Sequence, residues 1–204
     1  DVVAIDCEMC LTAQGRELSR VTVVDIDGAV LYDALVKPRN KIVDYLTAYS
    51  GITEPMLRDV TRTLEEARSE VFRFIHRDTV VVGHGLENDF KALKMSHERV
   101  IDTALLYIHP SGFPRRHSLK WLARMYLGAT IQTGSHDSAE DARYALLLTK
   151  SFILNEDDSR SKGLAHMLDA AQKLGRKSAV VASPNIAEWL VRGDTDYFGG
   201  SSPT

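Results

Sequence analysis

The order of strand and helix patterns along the chain constrains its fold more than any other feature. Three β-rich runs occupy residues 2–9, 20–25 and 29–36, and Asp27-Gly28 between the second and third run is a strong hairpin signal. From residue 63 onward, helical and strand patterns alternate. We therefore predict an α/β fold whose mixed sheet begins as an antiparallel meander and carries flanking helices.

Capping signals locate several helices. Thr63 and Glu66 form a capping box, which predicts a helix that ends near His76. Ser118 and Gly128 predict the cap and the end of a later helix. The other predicted elements are strands at 79–82 and 100–101 and helices at 87–95 and 138–154.

A polar stretch at residues 155–162, NEDDSRSK, is the best candidate for a domain boundary. We predict one domain over 1–155, and the 44% hydrophobic content of the chain suffices for a substantial core. The extension over 156–204 is expected to form a helix, a strand and a second helix before a disordered tail. Because the chain starts at Asp1 within strand-like sequence, we expect it to be a segment of a longer protein.

Hydrophobic residues are spread along the chain. No segment approaches the roughly 18 apolar residues of a membrane span, and the N-terminus lacks a signal-peptide pattern. We therefore expect an intracellular protein without membrane contact. The net charge of −3 is unusual for a protein that tracks long nucleic acids, so any phosphate contacts must depend on local basic clusters.

Cys7 and Cys10 have the C-x-x-C spacing of redox pairs and zinc half-sites. Redox pairs open a helix, whereas these residues lie in a predicted strand and should face opposite sides of it. A zinc site would require two further soft ligands. The favoured interpretation is that both are small buried apolar side chains.

Asp6 and Glu8 are two residues apart on the first predicted strand, so their carboxylates project from one face. Burial of unpaired charge costs several kcal/mol, and such a pair persists mainly when a cation neutralises it. The alternative is a strand at a sheet edge whose acids face water. The D-x-E spacing alone is compatible with both interpretations.

Two further segments carry candidate acids. Asp89 follows the glycine-bracketed His84 at a predicted strand end, where ligands gather in α/β sheets. His136 precedes a predicted helix that carries Asp141, and it could reach a water on a cation there. Asp89 could equally be a helix-dipole partner, and for Asp137 that interpretation is the better one. Structural roles are predicted for His84, His97, His109 and Asp102.

Together, these segments resemble the DEDDh branch of the DEDD (DnaQ-like) exonuclease superfamily, with the motifs in the family's order across residues 2–153. The sister branch places Tyr four residues before the last Asp, where this chain has Asp137. The resemblance implies an RNase H-like fold and a 3′→5′ exonuclease that uses two divalent ions, Mg²⁺ or Mn²⁺. The implied catalytic residues are the metal ligands Asp6, Glu8, Asp89 and Asp141 and the general base His136.

Finer motifs resemble the eukaryotic Rex-type RNA exonucleases: IDCEM, SGIT, GHGLENDF, IDTALLY and HDSAEDA. This resemblance implies an enzyme that binds single-stranded 3′ ends of RNA, releases nucleoside 5′-monophosphates and trims structured rRNA and tRNA precursors. It also implies a nuclear or nucleolar location. Ala48 stands where this subfamily is expected to have Arg, which predicts that a substrate contact has been lost.

Met9 and Arg116 are the candidate substrate contacts. Met9 directly follows Glu8 and is expected to pack on the terminal base or sugar, although Met is as often plain core. Arg116 belongs to a basic cluster at 114–117, and a second cluster lies at 175–177; either could bind phosphates or be solvated surface. Two other functions stay open: a DNA-directed exonuclease with the same catalytic residues, and a non-catalytic RNA-binding module.

Overall fold

The structure is a computed structural model, which describes residues 1–112 and 114–154. The strands are β1 (Val2–Thr12), β2 (Gly15–Asp25), β3 (Val30–Leu35), β4 (Ile42–Asp44), β5 (Val80–Gly83) and β6 (Val100–Asp102). The helices are α1 (Thr47–Ser50), α2 (Glu54–Leu57), α3 (Leu64–Val71), α4 (Leu86–Leu93), α5 (Thr103–Leu106), α6 (Leu119–Leu127) and α7 (Ser138–Leu154). The strands form a sheet with the order β3-β2-β1-β5-β6, and β4 pairs with the far end of β1.

The predicted antiparallel meander is confirmed in β1, β2 and β3. At the β2–β3 turn, the Asp25 carboxylate accepts hydrogen bonds from the backbone N–H groups of Asp27 and Ala29, and Gly28 has a positive φ of 83°. β1 runs on to Thr12, beyond its predicted end at residue 9, because its last residues pair with β4.

β1 is the central strand of the sheet. It is antiparallel to β2 on one side and parallel to β5 on the other, and β6 extends the parallel part. Val2 and Ala4 face a core that includes α6 and α7, whereas Val3 and Ile5 face a core that includes α3 and α4. Helices therefore cover both faces of the sheet, and the predicted mixed α/β architecture is confirmed.

The capping signals located two of the longer helices. The box between Thr63 and Glu66 is present at the start of α3. Ser118 caps α6 by accepting from the Trp121 N–H, and Gly128 ends that helix with a φ of 65°. α7 has the predicted bounds.

The prediction that α3 continues to near His76 is wrong. The helix ends at Val71, because the N–H groups of Arg73 and Phe74 bond carbonyls three residues back and tighten the chain into turns. β4 and the short helices α1, α2 and α5 were not predicted, because three or four residues are too few to show a hydrophobic period.

Cys7 and Cys10 are free thiols and both are buried. The interpretation of these residues as small buried side chains is therefore confirmed. Burial raises the pKa of the Cys10 thiol to about 11, which keeps it protonated at neutral pH.

The predicted boundary at 155–162 and the helix, strand, second helix and disordered tail predicted beyond it lie outside the described residues. So does the basic cluster at 175–177. Among the helices that the structure does describe, none is both long and apolar enough to cross a membrane.

Candidate active site

β1 brings Asp6 and Glu8 to the buried middle of the sheet. They continue the face that Val2 and Ala4 present to α7, because side chains alternate along a strand. Glu8 is 6% exposed, so a water-facing edge strand, the alternative for this pair, is excluded. The Glu8 Oε1 atom has no hydrogen-bond partner among the described residues.

α4 brings Asp89 to the same strand. β5 pairs with β1 only as far as Ala4, and beyond that point the Cys7 N–H donates to Asp89 Oδ1 at 2.8 Å. Asp89 is 4% exposed, so it is more than a surface partner of the α4 dipole. The start of α4 is held in turn by Asp102, which accepts from the N–H groups of Gly85 and Leu86.

α7 supplies Asp141, and His136 lies just before that helix. Asp141 is 4% exposed, and its Oδ2 lies 3.5 Å from His136 Nδ1. The His136 backbone N–H donates to the Tyr49 carbonyl at 3.0 Å, which joins the loop before α7 to α1. Asp137 instead points outward, accepts from the Ala139 N–H at the helix start and lies 3.4 Å from Arg20. Its predicted structural role is confirmed.

Glu8, His136 and Asp141 form the centre of the site, because each offers a ligand atom within 4.8 Å of the others. Asp6 and Asp89 lie close enough to act on one another electrically. The pKa of Asp6 is raised well above its ordinary value, first by burial and then by repulsion from Asp89, Asp141 and Glu8. All five predicted catalytic residues are therefore gathered at one end of the β1–β5 junction.

The pKa values of the carboxylates are raised by burial and by their mutual repulsion. Burial, with repulsion from Asp141, raises the pKa of Glu8 to about 8. Burial also raises the pKa of Asp89 to about 7, against the opposing hydrogen bond from Cys7, and that of Asp141 to about 6. Without added positive charge, Glu8 and Asp89 therefore hold protons near neutral pH, whereas Asp141 is mostly ionised.

A divalent cation fits this site. The donors are mostly carboxylate oxygens, which suit hard ions. The unpartnered Glu8 Oε1 is a buried acceptor that otherwise costs free energy, and a cation would satisfy it. The mutual repulsion that raises the pKa of Asp6 would likewise be relieved.

Two residues of the site were missed by the sequence analysis. Gln132 has a positive φ of 52°, and its Nε2 donates to both Asp141 oxygens at 2.9 and 3.0 Å. Lys120 on α6 donates to the Gln132 carbonyl at 2.6 Å. Burial, followed by repulsion from Lys120, lowers the pKa of His136 below 6.5. Gln132 lies only nine residues before Asp141, but neither Gln132 nor Lys120 belongs to a motif that predicts a contact with the acids, so only the folded arrangement reveals them.

Met9 and Arg116, the predicted substrate contacts, both have partners within the protein. Met9 is half-buried and packs against the core on the α3 and α4 side. Arg116 lies 3.3 Å from Glu87, which stands two residues before Asp89 on α4. Ala48 is exposed on α1, one residue from the Tyr49 carbonyl that binds His136.

His84, His97 and His109 have structural partners, as predicted. His84 Nδ1 is 2.9 Å from Thr103 Oγ1, and His97 Nε2 is 2.6 Å from the Thr79 carbonyl. The Ser111 N–H donates to His109 Nδ1. Burial, followed by repulsion from Arg116, lowers the pKa of His84 to about 4 and keeps that ring neutral.

Comparison with known proteins supplies the family context. The RNase_T family model, described as exonuclease, matches residues 3–149. RNA exonuclease 1 of Saccharomyces cerevisiae is 48% identical over 155 residues, which cover 76% of this chain and 28% of that protein. RNA exonuclease 5 of Homo sapiens is 48% identical over 152 residues, which cover 73% of this chain and 19% of that protein.

A solved structure is similar over most of the chain. The Pan2 pseudoubiquitin hydrolase–RNA exonuclease module of Saccharomyces cerevisiae, in complex with AAGGAA RNA, has a TM-score of 0.70 and 30% identity over 85% of this chain and 32% of that one. The chain thus spans less than a third of the length of each of these three proteins.

Proposed function

The chain belongs to the RNase_T exonuclease family, and from this premise we propose that it is a metal-dependent 3′→5′ exoribonuclease that releases nucleoside 5′-monophosphates. One observation carries the proposal: Glu8, His136 and Asp141 converge within 4.8 Å at a buried site. A cluster of buried acids beside a neutral histidine lowers the stability of the folded protein, so a purely structural role does not explain it. It is well suited to phosphodiester hydrolysis.

The four carboxylates would hold two divalent ions, and their oxygen ligands favour Mg²⁺ or Mn²⁺ over zinc. Such ions, when bound, lower the pKa of a water and stabilise the charge that develops on the leaving oxygen. The unpartnered oxygen of Glu8 and the raised pKa values of Glu8, Asp89 and Asp141 support this assignment. Gln132 orients the Asp141 carboxylate by donating hydrogen bonds to both of its oxygens.

His136 is the proposed general base. Its lowered pKa leaves the ring neutral at pH 7. Because Nδ1 faces Asp141 at 3.5 Å, a proton on Nδ1 leaves Nε2 to accept the proton of the attacking water. Attack on the last phosphodiester breaks the bond from phosphorus to the 3′ oxygen. The shortened RNA then leaves with a 3′ hydroxyl, and the released nucleotide keeps its 5′ phosphate.

RNA is the proposed substrate because two relatives are named RNA exonucleases and the Pan2 module was solved with RNA. From the Rex-type motifs we further propose single-stranded 3′ ends of rRNA and tRNA precursors as targets, in the nucleus or nucleolus. Met9 and Arg116 are the proposed substrate contacts. In this proposal residues 1–155 form the exonuclease domain and 156–204 an extension of it.

The test uses a single-stranded RNA that carries a fluorophore at its 5′ end, with either a free or a blocked 3′ end. With Mg²⁺ or Mn²⁺, only the RNA with the free 3′ end should shorten, one nucleotide at a time. EDTA and Asp89→Asn should each abolish this shortening. Degradation that survives either change would overturn the proposal.

Two further outcomes identify the alternative functions. A DNA strand of the same sequence, degraded faster than the RNA, would favour the DNA-directed exonuclease. RNA that is bound but never shortened, with either metal present, would favour the non-catalytic module.

A further inference from the structure

One segment next to the site has a charge opposite to that of the chain as a whole. Residues 103–136 contain no Asp and no Glu, although the net charge of the chain is −3. The same segment carries four cationic side chains: Arg115, Arg116, Lys120 and Arg124. A local surface of this kind attracts a polyanion even when the net charge of the protein does not.

Aromatic rings lie within this basic segment. The rings of His117 and Trp121 are parallel to within 7°, with centroids 3.8 Å apart. His109 continues the row, with its ring centroid 4.6 Å from that of His117. Trp121 is 39% exposed, so part of its indole remains open to a partner. We call His109, His117 and Trp121 the aromatic row.

The aromatic row is joined to the catalytic centre through α6. Lys120 binds the Gln132 carbonyl, and Gln132 binds Asp141. Lys120 and Arg124 are four residues apart and share one side of α6, the side that contacts Gln132, and Trp121 lies about 100° around the helix from Lys120. Cations therefore line the surface between the acids and the aromatic row.

We propose that the aromatic row is a stacking platform for a base of single-stranded RNA upstream of the scissile nucleotide, and that Lys120 and Arg124 bind the intervening phosphates. This inference rests on the proposed function. Every base has a flat face that stacks on an indole, so the platform binds without regard to sequence. Charge complementarity favours RNA over a protein partner, because the segment that carries the rings has four cationic residues and no acidic one.

The first experiment measures binding without catalysis. The chain has two tryptophans, Trp121 and Trp189, so Trp189→Phe leaves Trp121 as the single indole. Titration of this variant with an eight-nucleotide RNA in EDTA should quench its fluorescence. The anisotropy of labelled RNA shows when the protein is saturated. If the fluorescence of Trp121 is not quenched at saturation, the proposal is overturned.

The second experiment measures the dependence on RNA length. Trp121→Leu should raise KM for an eight-nucleotide RNA about 5- to 100-fold, the range expected for one lost stack. It should leave kcat for that RNA, and both constants for a dinucleotide, near the wild-type values. Trp121→Tyr should retain most of the affinity. Phe72→Leu is the matched control, because Phe72 is an exposed aromatic residue at the end of α3, and it should leave KM and kcat unchanged.

The outcomes separate this inference from the proposed function. Equal defects on both RNA lengths, or no defect on either, overturn the platform. Failure of the wild type to hydrolyse either RNA overturns the proposed function, whereas the titration in EDTA still tests the platform. Self-association lost in Trp121→Leu, without loss of RNA affinity, would assign this surface to a second copy of the chain and overturn the proposal.

Discussion

Asp89→Asn is expected to stabilise the metal-free protein at pH 8 while it abolishes activity. Asp89 is 4% exposed, and its Oδ1 accepts from the Cys7 N–H at 2.8 Å. The carbonyl oxygen of Asn can accept the same hydrogen bond, so the substitution removes charge and little else. It also removes the largest repulsion on Asp6.

The magnitude follows from the pKa of Asp89, which folding raises from 3.8 to about 7. A raised pKa means that the protonated form favours the folded state. This contribution is complete below about pH 4 and is lost as the pH rises through 7. The loss at high pH has an upper limit of about 4 kcal/mol. We expect the substitution to recover about 1–3 kcal/mol, which is roughly 2–10 °C in Tm for a chain of this size.

Thermal unfolding in EDTA at pH 5 and pH 8, followed by circular dichroism, tests this expectation. The gain from Asp89→Asn should be larger at pH 8 than at pH 5. Asp137→Asn is the matched control, because Asp137 is an exposed acid beside the same site and should give no gain. With Mn²⁺ the order should reverse, since the wild type binds the ion more tightly. If Asp89→Asn is less stable than the wild type in EDTA at pH 8, the buried charge of Asp89 does not destabilise the fold.

Three other predictions concern the same site. His136→Ala should lower kcat about 10²- to 10⁴-fold with metal present; full turnover at neutral pH would exclude His136 as the base. Affinity for Mn²⁺, measured by calorimetry, should rise between pH 6 and pH 8 with release of protons. The ion competes with protons on Glu8 and Asp141, whose pKa values are about 8 and 6. An affinity independent of pH would contradict this competition. Gln132→Ala should lower metal affinity or activity about 10- to 100-fold, because Asp141 loses the donor that orients it; an unchanged affinity and rate would limit Gln132 to a packing role.

The elements that the sequence predicted well are those with strong local signals. The capping box at Thr63 and the hydroxyl cap of Ser118 are set by residues within one turn of the helix start. The Asp27-Gly28 turn is equally local. The short strand β4 carried no such signal, because its position depends on pairing with the far end of β1.

The site was predictable only in part, for a related reason. Asp6 and Glu8 share a strand face by simple alternation, and their order relative to Asp89 and the His136–Asp141 pair carried the family resemblance. The burial of Asp6 and Glu8 was not predictable from their D-x-E spacing, since it depends on the central position of β1 in the sheet. The role of Gln132 was not predictable, because its hydrogen bonds to Asp141 depend on a left-handed backbone conformation.

Hydrolysis of a single-stranded RNA in H₂¹⁸O, with the products identified by mass spectrometry, shows which oxygen attacks the phosphorus. The expected products are nucleoside 5′-monophosphates that carry one ¹⁸O on phosphorus, formed with Mg²⁺ or Mn²⁺ and absent with EDTA or with Asp89→Asn. Nucleoside 3′-monophosphates or 2′,3′-cyclic phosphates would contradict it. Those products would mean that the 2′ hydroxyl of the RNA, rather than a water activated at the cluster of acids, attacks the phosphorus.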